Sequence, residues 1–236
     1  VCGLTRAARE GILFKGGAYL EELGRIRTFF FDKTGTLTLG KPEVVAVQPF
    51  RGRSEQEVLR LAAAIESRSE HPLAEAILDV ARNRGIQPPA ATEVQAVPGM
   101  GIRGRVNGER CLVGNPSFFN GTSGATGPDL EAVKEWEGRG ATVVVVGTEK
   151  EAFGMIAILD SVRKEAAYAL GELRSLGATD LTMLTGDNPE TGRAVASLLP
   201  MDAVHAGLLP EQKIALVREA VEKGKKVQVL VDETRP

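Results

Sequence analysis

Cysteine is almost missing from this sequence. The two that occur, Cys2 and Cys111, lie far apart, which leaves no disulfide framework and no cysteine ligand spacing, and fits a reducing compartment. An excess of positive charge is also missing. Lys plus Arg number 29 against 31 Asp plus Glu, for a net charge of -2, so nothing global points to nucleic acid as a partner. Long apolar runs are absent as well. Val143–Val146 and Met155–Leu159 fall far short of the roughly 20 residues that span a bilayer. Residues 1–10 mix Arg6, Arg9 and Glu10 with small residues, unlike a signal peptide. The chain as given is expected not to cross a membrane, although it can be a piece of a protein that does. No internal repeat stands out. A Gly/Ser/Thr stretch at 121–127 reads as a flexible connection. What remains is an ordinary globular composition, 43% hydrophobic and 25% charged over 236 residues, enough for a sizeable core.

Hydrophobic spacing divides the chain. Thr28–Phe31 is a short apolar run that reads as a strand buried on both faces. Ser54 and Glu57 form a capping box ahead of Val58, Leu61, Ala62 and Ile65 at helical spacing. Pro72 suits a first helical position before Leu73, Ala76, Ile77 and Val80, and Gly85 can end that helix. Asn107-Gly108 between two strand-like runs signals a hairpin. A helix near Leu130–Glu137 precedes "ATVVVVG", a turn at 147–151, and "AFGMIAILD". From Asp160 an αβαβ rhythm sets in: a helix over 161–176, the strand "DLTML", a helix capped by Asn188 and started by Pro189, the short strand "AVHA", a helix over Pro210–Glu222, and the strand "KVQVLVD". That alternation implies a parallel α/β layer. The expected architecture is an α/β domain at 1–42 and 157–236, interrupted by an α+β domain at 43–156.

Three apolar strands end in acidic chemistry: Phe31 runs into Asp32, Leu184 into Thr185-Gly186-Asp187, and Val231 into Asp232. Ligands of parallel α/β sheets sit beyond the carboxyl ends of the strands, so the three aspartates could share one crevice. Clustered carboxylates invite a divalent cation, and Mg²⁺ takes one or two carboxylates with water and phosphate oxygens. An aspartate can also attack a phosphoryl group as a nucleophile. The Thr34-Gly35-Thr36 loop could cradle the phosphate with backbone N–H groups. Lys213, early in the helix after "LLPEQ", could neutralise developing charge. Each feature has a plainer reading: a strand-end aspartate, a turn before the Asn188 cap, a solvated lysine.

"DKTGTLT" at 32–38 resembles the phosphorylation motif of P-type ATPases, and "TGD" at 185–187 and "PEQK" at 210–213 resemble the next two motifs in the same order. The resemblance implies a Rossmann-like core of the haloacid dehalogenase superfamily, with Asp32 the phosphorylated nucleophile. Thr34 then stands where related phosphatases carry a second aspartate as general acid, a proton transfer that threonine performs poorly; a long-lived phosphoenzyme follows. The resemblance further implies that Thr185, Gly186 and Asp187 line the phosphate pocket, that Lys213 balances its charge, and that Mg²⁺ is held by Asp32, the Thr34 carbonyl and Asp232.

In the interrupting domain, "SEHPLA" resembles the His-Pro motif of the heavy-metal branch of that family, and "VPGMGIRG" its Gly-x-Gly segment. By that resemblance Glu66, His71, Gly99 and Gly101 contact ATP, with Gly114 and Asn115 in "LVGN" as further candidates. His205, in "AVHA", matches no motif and reads as structural. "GILFKGGAYLEELG" at 11–24 is closer to zinc/cadmium/lead or cobalt exporters than to copper pumps. The implied partners are the transmembrane and actuator domains of a longer transporter at the cytoplasmic face of a membrane, with the exported cation contacting the membrane part. Closure between the domains would hinge near Gly40–Lys41 and Ala157–Asp160. One departure is clear: where the family reads Gly-Asp-Gly, this chain has Val231, Asp232 and Glu233, which weakens the Asp232 assignment and could impair Mg²⁺ binding and phosphorylation. Two alternatives stay open. A soluble capped phosphatase would turn over generic phosphate esters in a reaction lost with Asp32→Asn. A non-catalytic nucleotide-binding module would bind ATP without incorporating phosphate.

Overall fold

The computed structural model describes residues 2–119 and 128–232; the 121–127 stretch and Glu233 lie outside them. By contacts the chain forms two compact units. One comprises Val1–Leu37, Lys164–Gly186 and Ala196–Pro236, the other Thr38–Arg163 and Asp187–Val195.

The first unit is built on a four-stranded parallel sheet of β1 (Thr28–Asp32), β8 (Asp180–Leu184), β9 (Ala203–His205) and β10 (Val227–Leu230), in the order β10-β1-β8-β9. β1 is a central strand with Thr28, Phe29, Phe30 and Phe31 all buried, as its unbroken apolar run requires. α6 (Ala166–Ser175) and α8 (Pro210–Glu222) supply the crossovers, and α1 (Cys2–Arg9) and α2 (Gly17–Leu23) precede the sheet. Phe30, Leu184 and Ala220 form the core beneath α8, with Leu216, Val217, Val227 and Val229 packed against them.

The second unit is a six-stranded antiparallel sheet ordered β2-β7-β6-β5-β4-β3. Its strands are β2 (Glu43–Pro49), β3 (Ala91–Val97), β4 (Gly101–Val106), β5 (Glu109–Gly114), β6 (Thr142–Thr148) and β7 (Ala152–Leu159). The period-2 alternation of β6 sorts its valines between two cores. Val144 and Val146 join the core that includes Leu59 and Ile65 of α3 (Glu55–Glu66) and Ile77 of α4 (Pro72–Asn83). Val143 and Val145 join Phe119, Met155 and Val133 of α5 (Leu130–Gly138). α7 (Pro189–Ala196) groups with this unit: the Thr191 hydroxyl donates to Ala141 O at 2.9 Å and Asn188 Nδ2 donates to Glu137 Oε1 at 2.7 Å.

Most local expectations hold. The Ser54–Glu57 capping box is present in both directions, Pro72 starts α4, and Asn107 and Gly108 take φ of 51 and 84 at the hairpin, as a tight primed turn demands. Asn188 Oδ1 accepts from the N–H groups of Glu190 and Thr191. One expectation fails at its start. Residues 161–165 are not helical, because Leu39 N–H donates to Ser161 O at 2.9 Å and Thr38 pairs with Val162 as an isolated bridge; α6 begins only at Ala166. Among the described residues no helix is long and apolar enough to cross a membrane.

Candidate functional site

β1 delivers Asp32 to the carboxyl edge of the parallel sheet. The register aligns Asp32 with Leu184 and Phe31 with Leu230, so β8 and β10 end within one residue of each other and are followed by Thr185 and by Val231-Asp232 at the same edge. Lys213 Nζ donates to Asp32 Oδ1 at 2.5 Å, both side chains being mostly buried at 31% and 20% exposure. Partial burial makes this pair more than a surface ion pair.

After Asp32 the backbone turns sharply through Lys33–Leu37. Thr34 is extended at φ -74, ψ 125, and Gly35 is left-handed at φ 79, ψ -23. A Cβ on Gly35 would overlap the Asp232 carboxylate. Glycine is thus required twice here, by its dihedral and by the acid packed against it. Asp32, Lys213, the Thr34-Gly35 turn and Asp232 are therefore brought together, with Val231 half exposed beside them. Thr185 is buried; its N–H donates to His205 O at 2.9 Å and its carbonyl accepts from Leu208 N–H at 3.1 Å. Asp187 groups by contacts with the antiparallel unit, where its Oδ1 accepts from the Thr142 hydroxyl at 3.0 Å.

In the antiparallel unit the predicted nucleotide residues fall on three local structures. Glu66 closes α3 and is 7% exposed. Its Oε2 is the one buried side-chain polar atom without a hydrogen-bond partner among the described residues. Burial pushes its carboxyl up to about 7, against the opposing pull of a hydrogen bond with Ser69. An orphaned buried oxygen is costly unless a ligand meets it. His71 caps α4, its Nδ1 accepting from Leu73 N–H at 3.2 Å, which leaves its proton on Nε2. Desolvation lowers the imidazole below its ordinary range, and the Asp187 carboxylate pulls the other way. Gly99 and Gly101 lie in the tight turn into β4. Asn115 Nδ2 donates to Gly99 O at 2.7 Å and Asn115 N–H to Met100 O at 2.8 Å. Gly101 and Gly114 face each other in register, and a Cβ on either would strike the backbone opposite. Glycine at both positions lets the β4 and β5 backbones close on one another.

Three features were not singled out from the sequence. Lys33 is 5% exposed, although it lies inside the motif at 32–38. The Thr38 hydroxyl donates to Asp160 Oδ2 at 2.5 Å while Lys41 N–H donates to Asp160 Oδ1 at 3.2 Å, tying together the two expected hinge segments. Thr142 carries no motif at all.

Comparisons with known proteins bear on the fold and the family. A zinc/cadmium/lead-transporting P-type ATPase of Escherichia coli (strain K12) is 45% identical over 217 residues, 92% of this chain and 29% of that protein. A copper-exporting P-type ATPase of Bacillus subtilis (strain 168) is 37% identical over 98% of this chain and 29% of its own length. The chain thus spans about three-tenths of these curated relatives. The crystal structure of a zinc-transporting PIB-type ATPase in its E2.Pi state is 42% identical, with a TM-score of 0.65, over 98% of this chain and 37% of that one. The catalytic domain of the CPx-ATPase CopB-B shares the fold at a TM-score of 0.74 and 23% identity. Residues 26–230 match the haloacid dehalogenase-like hydrolase family, and the chain belongs to it.

Proposed function

We propose that this chain is the ATP-binding and autophosphorylating region of a heavy-metal-exporting P-type ATPase, and that Asp32 is its phosphorylated nucleophile. The observation that carries the reading is the contact of Lys213 with Asp32 at the carboxyl edge of the parallel sheet, with Asp232 packed on Gly35 beside it. An Asp32 carboxylate oxygen forms a bond to the γ-phosphorus of ATP. The bond from that phosphorus to the β–γ bridging oxygen breaks, and ADP leaves with the electron pair. Lys213 offsets charge on the transferring group, and the backbone of the Thr34–Thr36 turn receives its oxygens. Thr34 has no carboxylate with which to take a proton from an attacking water, so the acyl phosphate persists long enough to be coupled to transport.

The residues present fit Mg²⁺. Asp32, Asp232 and the Thr34 carbonyl are hard oxygen donors, and two carboxylates are what this ion commonly takes from a protein. When bound, Mg²⁺ supplies neutralisation of the phosphate charge. Thr185, Gly186 and Asp187 are proposed to line the phosphate pocket. Glu66, His71, Gly99 and Gly101 are proposed to hold the nucleotide: the orphaned Glu66 Oε2 meets a polar group of the purine, and the Gly-x-Gly turn allows close backbone approach. The 45% identity to the zinc/cadmium/lead transporter, against 37% to the copper exporter, favours zinc, cadmium or lead as the exported ion. The chain's span of only 29% of each of these transporters supports membrane and actuator partners in a longer protein, at the cytoplasmic side of a membrane.

Incubation with γ-labelled ATP and Mg²⁺ tests the reading. Wild type acquires hydroxylamine-labile label. Asp32→Asn acquires none yet binds ATP normally, whereas His71→Ala loses ATP affinity. Label that survives Asp32→Asn refutes the assignment.

A further inference from the structure

The aim of Lys213 depends on how α8 starts. Pro210 at the first helical position has no N–H to place. Leu209, the N-cap residue, has a hydrocarbon side chain that can accept nothing from the helix. The usual forward half of a capping box is therefore impossible at this turn. The reverse half is made: the Leu209 N–H donates to Gln212 Oε1 at 2.8 Å. Gln212 N–H and Lys213 N–H both donate to Leu209 O, at 3.0 and 3.2 Å, which closes the turn around that single side-chain contact. The preceding residue, Leu208, donates its N–H to Thr185 O at 3.1 Å, and the following one, Lys213, reaches Asp32 Oδ1 at 2.5 Å. A continuous run of bonds thus leads from the end of β8, through the first turn of α8, to the carboxylate on β1. Gln212 is exposed, so no core packing accounts for it.

We propose that Gln212 is a positioning residue for phosphoryl transfer: its side-chain carbonyl fixes the first turn of α8 and so holds Lys213 on Asp32. The role of the lysine in transfer rests on the function proposed above; the capping geometry does not. Removing the acceptor frees the Leu209 N–H and lets the first turn fray, which lengthens the excursions of Lys213 from the carboxylate. Glutamate at this position keeps an acceptor oxygen and sits favourably at a helix N-terminus, so it restores the contact.

The test compares wild type, Gln212→Ala and Gln212→Glu on the whole chain with two readouts. The first is the rate of reductive methylation at Lys213, read by peptide mass spectrometry without any nucleotide. The second is the rate of hydroxylamine-labile labelling from γ-labelled ATP at saturation, with the ATP concentration giving half-maximal rate. Gln212→Ala is expected to methylate Lys213 about fivefold faster and to phosphorylate about fivefold slower, the size of a lost cap. Its half-maximal ATP concentration stays unchanged, and Gln212→Glu returns both rates to near wild type. Unchanged methylation in Gln212→Ala overturns the proposal, as does a Gln212→Glu variant as impaired as the alanine. A wild type that takes up no label removes the functional reading, and the methylation comparison then still decides the role of Gln212.

Discussion

Glu66 offers a quantitative check on the packing of the antiparallel unit. Its carboxyl is raised from 4.5 to about 7, chiefly by burial. Between those values the native protein holds a proton that the unfolded chain has released, so stability falls as pH rises through the window and levels off above it. At about 1.4 kcal/mol per pH unit the loss amounts to roughly 3 kcal/mol. Glu66→Gln keeps the shape and the acceptor toward Ser69 but cannot ionise. An amide hydrogen left without an acceptor shifts the variant's stability equally at every pH, so the slope carries the signal. Wild type is expected to lose about 3 kcal/mol between pH 4.5 and pH 7.5 relative to the variant. Urea unfolding followed by tryptophan emission measures this directly, because the single tryptophan, Trp136, packs in the same unit as Glu66. Parallel pH profiles for the two proteins would show that Glu66 is ionised in its pocket and that the reasoning fails.

Further substitutions test separate parts of the structure. Gly35→Ala forces a side chain into φ 79 and against Asp232; it should abolish labelling from γ-labelled ATP and cost roughly 1–3 kcal/mol, while isothermal titration shows ATP binding intact. Gly101→Ala places a Cβ on the Val113 carbonyl, which should lower the Trp136-monitored urea midpoint by the equivalent of about 2 kcal/mol and weaken ATP binding together. Asp160→Ala strips the acceptor from the Thr38 hydroxyl and the Lys41 N–H; a loss of about 1–3 kcal/mol and faster amide exchange at Lys41 are the expected signs.

The sequence displays some of this architecture openly and hides the rest for physical reasons. Asn107-Gly108 and the Ser54–Glu57 box are legible because each is a local agreement between residue type and backbone shape. β2 and β3 are not named by any pattern, and both are edge strands of their sheet with a register irregularity, one between Val44 and Ala46 and one between Thr92 and Gln95. An edge with a bulge breaks strict alternation, which is the signal a strand normally gives. The helical reading of 161–165 fails because Ser161 and Val162 bond to Leu39 and Thr38, partners more than a hundred positions away that spacing cannot reveal. At the site, Asp32 and Lys213 are legible through their motifs. Lys33 lies in the same motif, but its burial is a property of packing. Asp160 lies outside the quoted motifs, and its bonds to Thr38 and Lys41 form only when the fold closes.

β2 and β7 pair antiparallel, with Glu43 opposite Leu159. The chain therefore enters and leaves the six-stranded layer through neighbouring strands, and its two ends there are a ladder rung apart. Such an arrangement lets a whole six-stranded layer be threaded into the chain while the flanking segments stay one strand spacing apart. The insertion is not self-contained, however, because α7, from a later stretch of the chain, bonds to Ala141 and its cap residue Asn188 to Glu137. Any exchange of the layer therefore has to bring along a surface that α7 can still grip.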